Sequence, residues 1–119
     1  MPVAVVTGAA RERGIGRGIA HVLAERGFDV AINDVSQDDE GARRVAEVEA
    51  FGRRSAFIRA DVSRPEENER LVAETVERFG RLDAFVANAG VARWQPLTDV
   101  TRDDWDFIMG VNLHGVFFC

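Results

Sequence analysis

Residues 7–16 read Thr-Gly-Ala-Ala-Arg-Glu-Arg-Gly-Ile-Gly and directly follow an apolar run that begins at Val3. Glycines permit a tight turn and let the backbone approach a ligand closely, and the N-terminus of a following helix offers free N–H groups. A strand, a glycine loop and a helix in this order are typical of a pyrophosphate-binding site. A glycine-rich turn without a ligand is the alternative, and an acid further along the chain favours the binding site.

Four apolar runs alternate with helix-like segments, which is the pattern of a parallel α/β sheet. The runs are nearly all apolar, as expected for strands that are covered on both faces. Right-handed crossovers between them predict a Rossmann-type doubly wound sheet with the strand order 3-2-1-4. The predicted strands are Val3–Thr7, Asp29–Asn33, Ser55–Ala60 and Leu82–Ala87.

The segments between the strands carry helix signals. The first helix is expected to end before Gly27, the second to cover about 39–51, and the fourth to begin at Thr101. The third is expected to start with a capping box at Ser63–Glu66 and to end at Gly80. The predicted apolar faces are Ile15, Ile19, Val22 and Leu23 in the first helix and Leu71, Val72, Val76 and Phe79 in the third.

Composition argues against several classes of protein. A formal net charge of −5 disfavours a nucleic-acid surface, which needs a basic face. No segment reaches the ~18 apolar residues of a membrane span, and Met1–Thr7 lacks the basic region of a signal peptide, so a cytoplasmic location is expected. The single cysteine, Cys119, excludes an internal disulfide. Because His21 and His114 have no Cys or carboxylate at ligand spacing, no metal site is predicted.

Residues 7–16 resemble the cofactor loop of the short-chain dehydrogenase/reductase family, whose pattern is Thr-Gly-x3-Gly-x-Gly. Five residues rather than three separate Gly8 from Gly14, so this loop is two residues longer. The resemblance implies binding of NAD(P), and Arg11, Glu12 and Arg13 are the alternatives for the residue that faces the adenosine end. The loop residues assigned to the cofactor are Thr7, Gly8, Arg13, Gly14, Ile15 and Gly16.

Asp34 closes the second predicted strand, eighteen residues after Gly16. An acid at this place can accept hydrogen bonds from both ribose hydroxyls of NAD, while a polar strand cap is the alternative role. The same carboxylate should repel the 2′-phosphate of NADP, so NAD is expected to be the preferred cofactor. NADP is the second cofactor considered, because Arg11 or Arg13 can offer a guanidinium to that phosphate.

Two further stretches match the family in position. Asp61-Val62 ends the third predicted strand and is similar to the family's adenine-binding pair; a turn carboxylate that helps to cap the next helix is the other interpretation, and both roles can coexist. Asn88-Ala89-Gly90 resembles the core of the Asn-Asn-Ala-Gly motif. There the glycine lets the backbone lie against the nicotinamide ribose, and the Asn side chain ties adjacent strands.

Asn112 resembles the Asn of the family's catalytic tetrad, which distorts a helix and holds a water; a helical Asn that faces solvent is the alternative. The family's proton transfer uses a Tyr-x-x-x-Lys pair. This chain contains no Tyr, and all fifteen of its basic Lys and Arg residues are Arg. The resemblance therefore implies hydride transfer between NAD(H) and an alcohol/carbonyl pair, including 3-oxoacyl thioester reduction, by a protein whose catalytic Ser, Tyr and Lys lie beyond Cys119.

Residues 1–119 are accordingly expected to be the N-terminal part of one NAD(P)-binding domain, inactive alone and prone to form homo-oligomers through an exposed strand edge. A catalytically inactive dinucleotide-binding or interaction module is the alternative. A weaker one is the enoyl-thioester reductase branch, which has a similar five-residue loop spacing but Ser-Ile-Ala in place of Gly14-Ile15-Gly16. The Asn88-Ala89-Gly90 motif argues against that branch.

Overall fold

The computed structural model describes all 119 residues, as four parallel strands and five α-helices. A 3-10 turn at Leu97–Asp99 precedes the fourth helix, and a π-helical segment, Gly110–Gly115, follows it. The strand order β3-β2-β1-β4 confirms the predicted order 3-2-1-4. The elements are β1 (Val3–Val6), α1 (Ile15–Glu25), β2 (Asp29–Asp34), α2 (Asp38–Glu49), β3 (Ser55–Arg59), α3 (Pro65–Phe79), β4 (Ala84–Val86), α4 (Arg102–Met109) and α5 (Val116–Phe118).

The central strand β1 lies between β2 and β4, and every residue of β1 and β2 is buried. Val3 and Val5 pack on one face of the sheet with Leu71 of α3. Val6 packs on the other face with Ala20 of α1 and with residues of α2. Because helices cover both faces, the strands carry continuous apolar runs instead of an alternating pattern.

The buried face of α1 differs from the predicted apolar stripe. Ile15 is 79% exposed and Val22 is also exposed. Small residues at i, i+4 and i+8 face the sheet instead, and they let the helix backbone approach it closely. These residues are Gly16, Ala20 and Ala24.

The predicted capping box of α3 is wrong. The N-cap residue is Arg64, without a side-chain cap, and the Ser63 hydroxyl donates to Oδ1 of Asp61 at 2.6 Å. The carboxylate of Glu67 accepts the Asp61 N–H at 2.9 Å, so these polar groups stabilise the preceding turn. Val76 is exposed, contrary to the predicted apolar face. The residues buried on α3 are Asn68, Leu71, Thr75 and Phe79.

The predicted glycine stops and the start of α4 are confirmed, although α2 ends at Glu49, two residues before the predicted end at 51. Gly27, Gly52 and Gly80 follow α1, α2 and α3 with positive φ angles, which side chains disfavour. At the start of α4, the Thr101 hydroxyl accepts the Asp104 N–H at 3.1 Å, and Asp104 accepts the Thr101 N–H at 3.0 Å. The Thr101 N–H and the other donors around this carboxylate hold the pKa of Asp104 far below its ordinary value.

Candidate functional site

A cleft of about 690 Å³ lies at the carboxyl ends of the strands. Because all four strands are parallel, residues that are distant in sequence meet at this edge of the sheet. Most of the predicted binding residues line the cleft, and three of them do not: Thr7, Arg13 and Gly16. The ones that do are Gly8, Gly14, Ile15, Asp34, Asp61, Val62, Asn88, Ala89 and Gly90.

The N-terminus of α1 opens into the cleft at Gly14. Gly14 is the N-cap residue, no side chain caps the helix, and its first turn contains no acidic residue. The N–H groups of Ile15 and Gly16 have no acceptor within the protein. Free N–H groups at the positive end of a helix dipole are suited to an anion, so the pyrophosphate of a dinucleotide fits this end of the cleft.

Gly8 and Gly16 allow the two loops of the cleft to pack together. Gly8 has a φ of +62°, and a Cβ built on it would lie 2.8 Å from Cα of Ala89. A Cβ on Gly16 would lie 2.7 Å from Nδ2 of Asn88 and 2.8 Å from Cα of Ala9. Gly16 is buried under the loop, so its role in the site is to allow this close packing.

Thr7 is buried and positions the loop after β4 instead of facing the cleft. Its hydroxyl donates to the Val86 carbonyl at 3.4 Å and accepts the N–H groups of Asn88 and Ala89, both at 3.0 Å. The Asn88 side chain returns bonds to the carbonyls of Thr7, at 3.0 Å, and Gly8, at 3.3 Å. Asn88 thus ties the ends of β1 and β4 together, as the resemblance implied.

The structure brings Arg11, and not Arg13, to the cleft. Arg11 also lines an adjoining pocket together with Phe107 and Asn112. Arg13 is exposed and lines neither space. The Gly14 N–H donates to the Arg11 carbonyl at 3.2 Å, which folds the loop back on itself, and spacing alone did not reveal this turn.

Asp34 is buried at the end of β2, where two backbone groups hold its carboxylate. Oδ2 accepts the Ala10 N–H at 3.2 Å, and Oδ1 accepts the Val35 N–H at 2.9 Å. A carboxylate oxygen has two acceptor positions, so each oxygen can still accept a hydroxyl. The bonds to the protein fix the orientation of the carboxylate and leave the ribose-binding role open.

Asp61 holds the turn before α3, as predicted, but it does not help to cap that helix, which has no side-chain cap. Its Oδ1 accepts both the N–H and the hydroxyl of Ser63, at 3.0 Å and 2.6 Å, while Oδ2 has no partner in the protein. The backbone N–H of Val62 also lacks an acceptor. A free carboxylate oxygen can accept from the amine of an adenine, and a free N–H can donate to its ring nitrogen. Asp61 and Val62 are therefore compatible with the predicted adenine-binding role.

Asn112 lies in the π-helical segment, which is a distortion of the kind that the resemblance implied. Its Nδ2 donates to the Val91 carbonyl and its Oδ1 accepts the Val91 N–H, both at 2.8 Å. A Cβ on Gly90 would lie 3.5 Å from the same Oδ1. Asn112 therefore holds the segment after β4 against the helical region and does not simply face solvent.

Asn33 is a site residue that the sequence interpretation missed. It lines the cleft and is buried one position before Asp34, where its Nδ2 donates to the carbonyls of Ile58 at 2.9 Å and Ala60 at 3.2 Å. These bonds hold the end of β3 beside β2. A polar residue at the end of an otherwise apolar strand was the available signal.

Two other features of the structure concern metal binding and membrane spans. No group of three or more His, Cys, Asp or Glu side chains is placed to hold a metal ion. None of the helices has the length and the apolar character needed to cross a membrane.

Comparisons with known proteins agree with this geometry. A family model described as enoyl-(acyl carrier protein) reductase matches residues 8–119. The short-chain dehydrogenase/reductase eriH of Hericium erinaceus is 42% identical over 120 residues, which cover 98% of this chain and 47% of the relative. The 3-oxoacyl-[acyl-carrier-protein] reductase FabG of Staphylococcus epidermidis is 40% identical over 116 residues, with the same coverage of 98% and 47%.

A solved structure, carveol dehydrogenase of Mycobacterium avium in complex with NAD, superposes with a TM-score of 0.89 at 32% sequence identity. The match covers 98% of this chain and 46% of that one. The chain belongs to the short-chain dehydrogenase/reductase family. It spans about half the length of the curated relatives that it matches.

Proposed function

We propose that residues 1–119 form the dinucleotide-binding part of an NAD(P)-dependent short-chain dehydrogenase/reductase. The reaction of the whole protein is hydride transfer between the nicotinamide cofactor and an alcohol/carbonyl pair. The observation that carries the proposal is the cleft itself, where the uncapped N-terminus of α1, Asp34 and Gly90 meet at one edge of the sheet.

Each part of the cofactor has a matching group along the cleft. The N–H groups at the start of α1 would hold the pyrophosphate, and Asp34 would accept the adenosine ribose hydroxyls. Asp61 and Val62 would bind the adenine edge, which leaves the nicotinamide half toward Gly90. The bound cofactor supplies the hydride, and the chain's residues bind and orient it.

NAD is the proposed preferred cofactor, and NADP is the alternative. A 2′-phosphate on the adenosine ribose would place a second anion beside the Asp34 carboxylate, where like charges repel. Arg11, the arginine of the lengthened loop that reaches the cleft, also lines the adjoining pocket with Asn112, and Asp34 does not line that pocket. The carveol dehydrogenase structure contains NAD, which supports the same choice.

The proposed substrates are small alcohols and carbonyl compounds, with 3-oxoacyl thioesters as a specific class. The name of the FabG relative supports the thioester. The family model's description names enoyl reduction instead, but Asn88-Ala89-Gly90 at the cleft favours the alcohol/carbonyl branch. The 119-residue chain has no Tyr or Lys, so it is proposed to bind the cofactor without turning over substrate.

Titration with NADH tests the binding proposal directly. A Gly14→Val side chain would fill the space in front of the α1 N-terminus, while the nearest atoms to its Cβ would be Cβ and the carbonyl oxygen of Arg11, at 3.3 Å and 3.4 Å. The matched control is Gly18→Val on the same helix, where an added Cβ meets nothing within 4 Å. We expect Gly14→Val to weaken NADH binding at least about tenfold, and Gly18→Val to retain it.

Two results of the titration would contradict the proposal. One is the absence of NADH binding to the folded wild-type chain. The other is equal NADH affinity in Gly14→Val and Gly18→Val, which would mean that the dinucleotide does not lie at the start of α1.

We further propose that the chain forms homo-oligomers. Large apolar side chains cluster in exposed positions in and around α4 and α5, and surfaces of this kind favour association. Light scattering at tens of micromolar is expected to detect dimers or larger species, and a stable monomer would contradict the proposal. The exposed residues are Trp94, Leu97, Trp105, Phe107, Leu113, Val116, Phe117 and Phe118.

A further inference from the structure

Two carbonyl groups of the lengthened loop are bound by arginines from two different helices. Nη1 of Arg17, on α1, donates to the Glu12 carbonyl at 2.8 Å. Nη1 of Arg44, on α2, donates to the Ala10 carbonyl at 3.5 Å. The loop between Gly8 and Gly14 is therefore attached from outside the cleft, at two points on its backbone.

Both arginines are bound by one carboxylate, that of Glu47 on α2. Its Oε1 lies 2.6 Å from Nη2 of Arg17 and 3.1 Å from Nη2 of Arg44. Its Oε2 lies 3.1 Å from Nε of Arg17 and 2.6 Å from Nε2 of His21. Burial alone would raise the pKa of Glu47, but the bonds from His21 and Arg17 and the charge of Arg44 outweigh it and lower that pKa.

Arg44 depends on this carboxylate because its side chain is only 5% exposed. Its Nε has no hydrogen-bond partner, and its other anionic contact is Glu40, at 3.4 Å. A buried charge that loses its partner is strongly destabilised. Without the charge of Glu47, Arg44 would keep only the longer contact with Glu40, and its bond to the Ala10 carbonyl would be weakened.

The attachment continues into the binding cleft through Ala10. While its carbonyl accepts from Arg44, its N–H donates to Oδ2 of Asp34 at 3.2 Å. One peptide segment thus connects α2 to the acid at the end of β2. A shift of this segment would move the loop and the carboxylate together.

We propose that Glu47 is a positioning residue for dinucleotide binding. Through Arg17 and Arg44 it holds the loop backbone in the geometry that presents the α1 N-terminus to a pyrophosphate. The need arises from the two additional loop residues, because a longer loop has more freedom to lose when a ligand orders it. The inference rests on the proposed function, since it assigns a role within the same binding site.

The test compares Glu47→Gln with Glu49→Gln in the full chain. Glu49 lies on the same helix, is exposed and makes no side-chain hydrogen bond or ion pair, so it is the matched control. We expect Glu47→Gln to weaken NADH binding about tenfold and Glu49→Gln to leave it unchanged. Arg17→Lys should also weaken it, because one ammonium group cannot reach both Glu47 and the Glu12 carbonyl as the guanidinium does.

Amide hydrogen exchange separates positioning from general stability. In Glu47→Gln, exchange should become faster at Ala9, Ala10 and Gly14, while the amides of Val5 and Ile32 in the sheet keep the wild-type rate. Equal acceleration in loop and sheet would overturn the proposal, because Glu47 would then act on the whole fold. Wild-type NADH affinity in Glu47→Gln would overturn it as well. Failure of the wild-type chain to bind NADH would instead refute the proposed function.

Discussion

The two sides of the cleft are built in different ways. On the loop side, the cleft residues extend from β1 and β2, whose residues are all buried in the sheet. On the opposite side, residues 91–119 contain one buried residue, Gly115, and the side chain of Trp94 is 99% exposed. The loop side therefore takes its geometry from the protein core, whereas the other side depends on a few individual contacts.

Two of these contacts hold the opposite side in place: one lies within residues 91–119, and one joins that segment to Val62 of the cleft. Asn112 pairs with the backbone of Val91, and Gly115 packs so closely on Val62 that an added Cβ would lie 3.0 Å from its carbonyl oxygen. Because local opening follows from few buried contacts, the two sides should respond differently to mutation. Changes to residues buried at the strand ends on the loop side, such as Thr7, should affect the whole fold, and changes on the opposite side should stay local.

The largest expected effect is on catalysis. The side that contains Asn112 has no Tyr or Lys to donate a proton, and a positioned general acid contributes about 10²–10⁴ in rate. We expect purified 119-residue chain to give a blank rate with NADH and a panel of ketones and 3-oxoacyl thioesters. Turnover that disappears in a Gly14→Trp variant would contradict this expectation, because it would show catalysis at the cleft.

The next effect concerns the stability of the loop side. Thr7→Val keeps the shape of the side chain but leaves the N–H groups of Asn88 and Ala89 without their acceptor. We expect the free energy of unfolding to fall by about 1–3 kcal/mol in urea denaturation, and Thr7→Ser to recover most of it. Equal stability of the Val and Ser variants would mean that the hydroxyl does not hold the two loops together.

A smaller effect is expected on the choice between cofactors. Removing the carboxylate in Asp34→Ala takes away a repulsion of about 1 kcal/mol in water, and more in a cleft. The ratio of NADPH to NADH affinity should therefore rise about tenfold, although the loss of the Ala10 bond weakens both. Asp38→Ala, at an exposed position, is the control. Tighter binding of NADPH by the wild-type chain, with an unchanged ratio in Asp34→Ala, would assign the preference to the arginines.

The smallest effect should come from Asn112→Ala, on the side with few contacts. The variant loses two hydrogen bonds to Val91, both exposed, so we expect about 0.5–1.5 kcal/mol of local destabilisation. Hydrogen exchange should become faster around Val91 and the π-helical segment, with unchanged exchange in β1. If the urea midpoint falls as far as in Thr7→Val, the proposed difference between the two sides is wrong.

The sequence was sufficient for the features that depend on backbone pattern. Apolar runs and glycine stops predicted four strands, their order and the ends of three helices. The position of Asp34 at a strand end followed from the same pattern. The Asn88-Ala89-Gly90 stretch could be placed at the cleft because the carboxyl ends of parallel strands share one edge.

Features that depend on competition between side chains could not be predicted in this way. Ser63 was expected to cap α3, but the carboxylate of Asp61, two residues away, binds its hydroxyl instead. The choice between Arg11 and Arg13 depended on a turn within the loop. The contact of Glu47 with Arg17 joins two helices across thirty residues of sequence, and no local spacing indicates such a pair.

The central position of β1 has a consequence for synthesis on the ribosome. β1 emerges first and can pair with β2 once the chain from Asp29 onward has been made. The other edge of β1 has no partner until synthesis reaches Val86, the end of β4. At the usual ~5–20 residues per second, that edge stays open for roughly 3–11 s in the nascent chain. The proposed binding of NAD(P) would therefore require β4 to be docked first, because Asn88 and Gly90 of the cleft follow that strand. Stalled chains that expose only residues 1–60 should be cleaved by protease, whereas in those that expose residues 1–119 the sheet formed by residues 1–90 should resist.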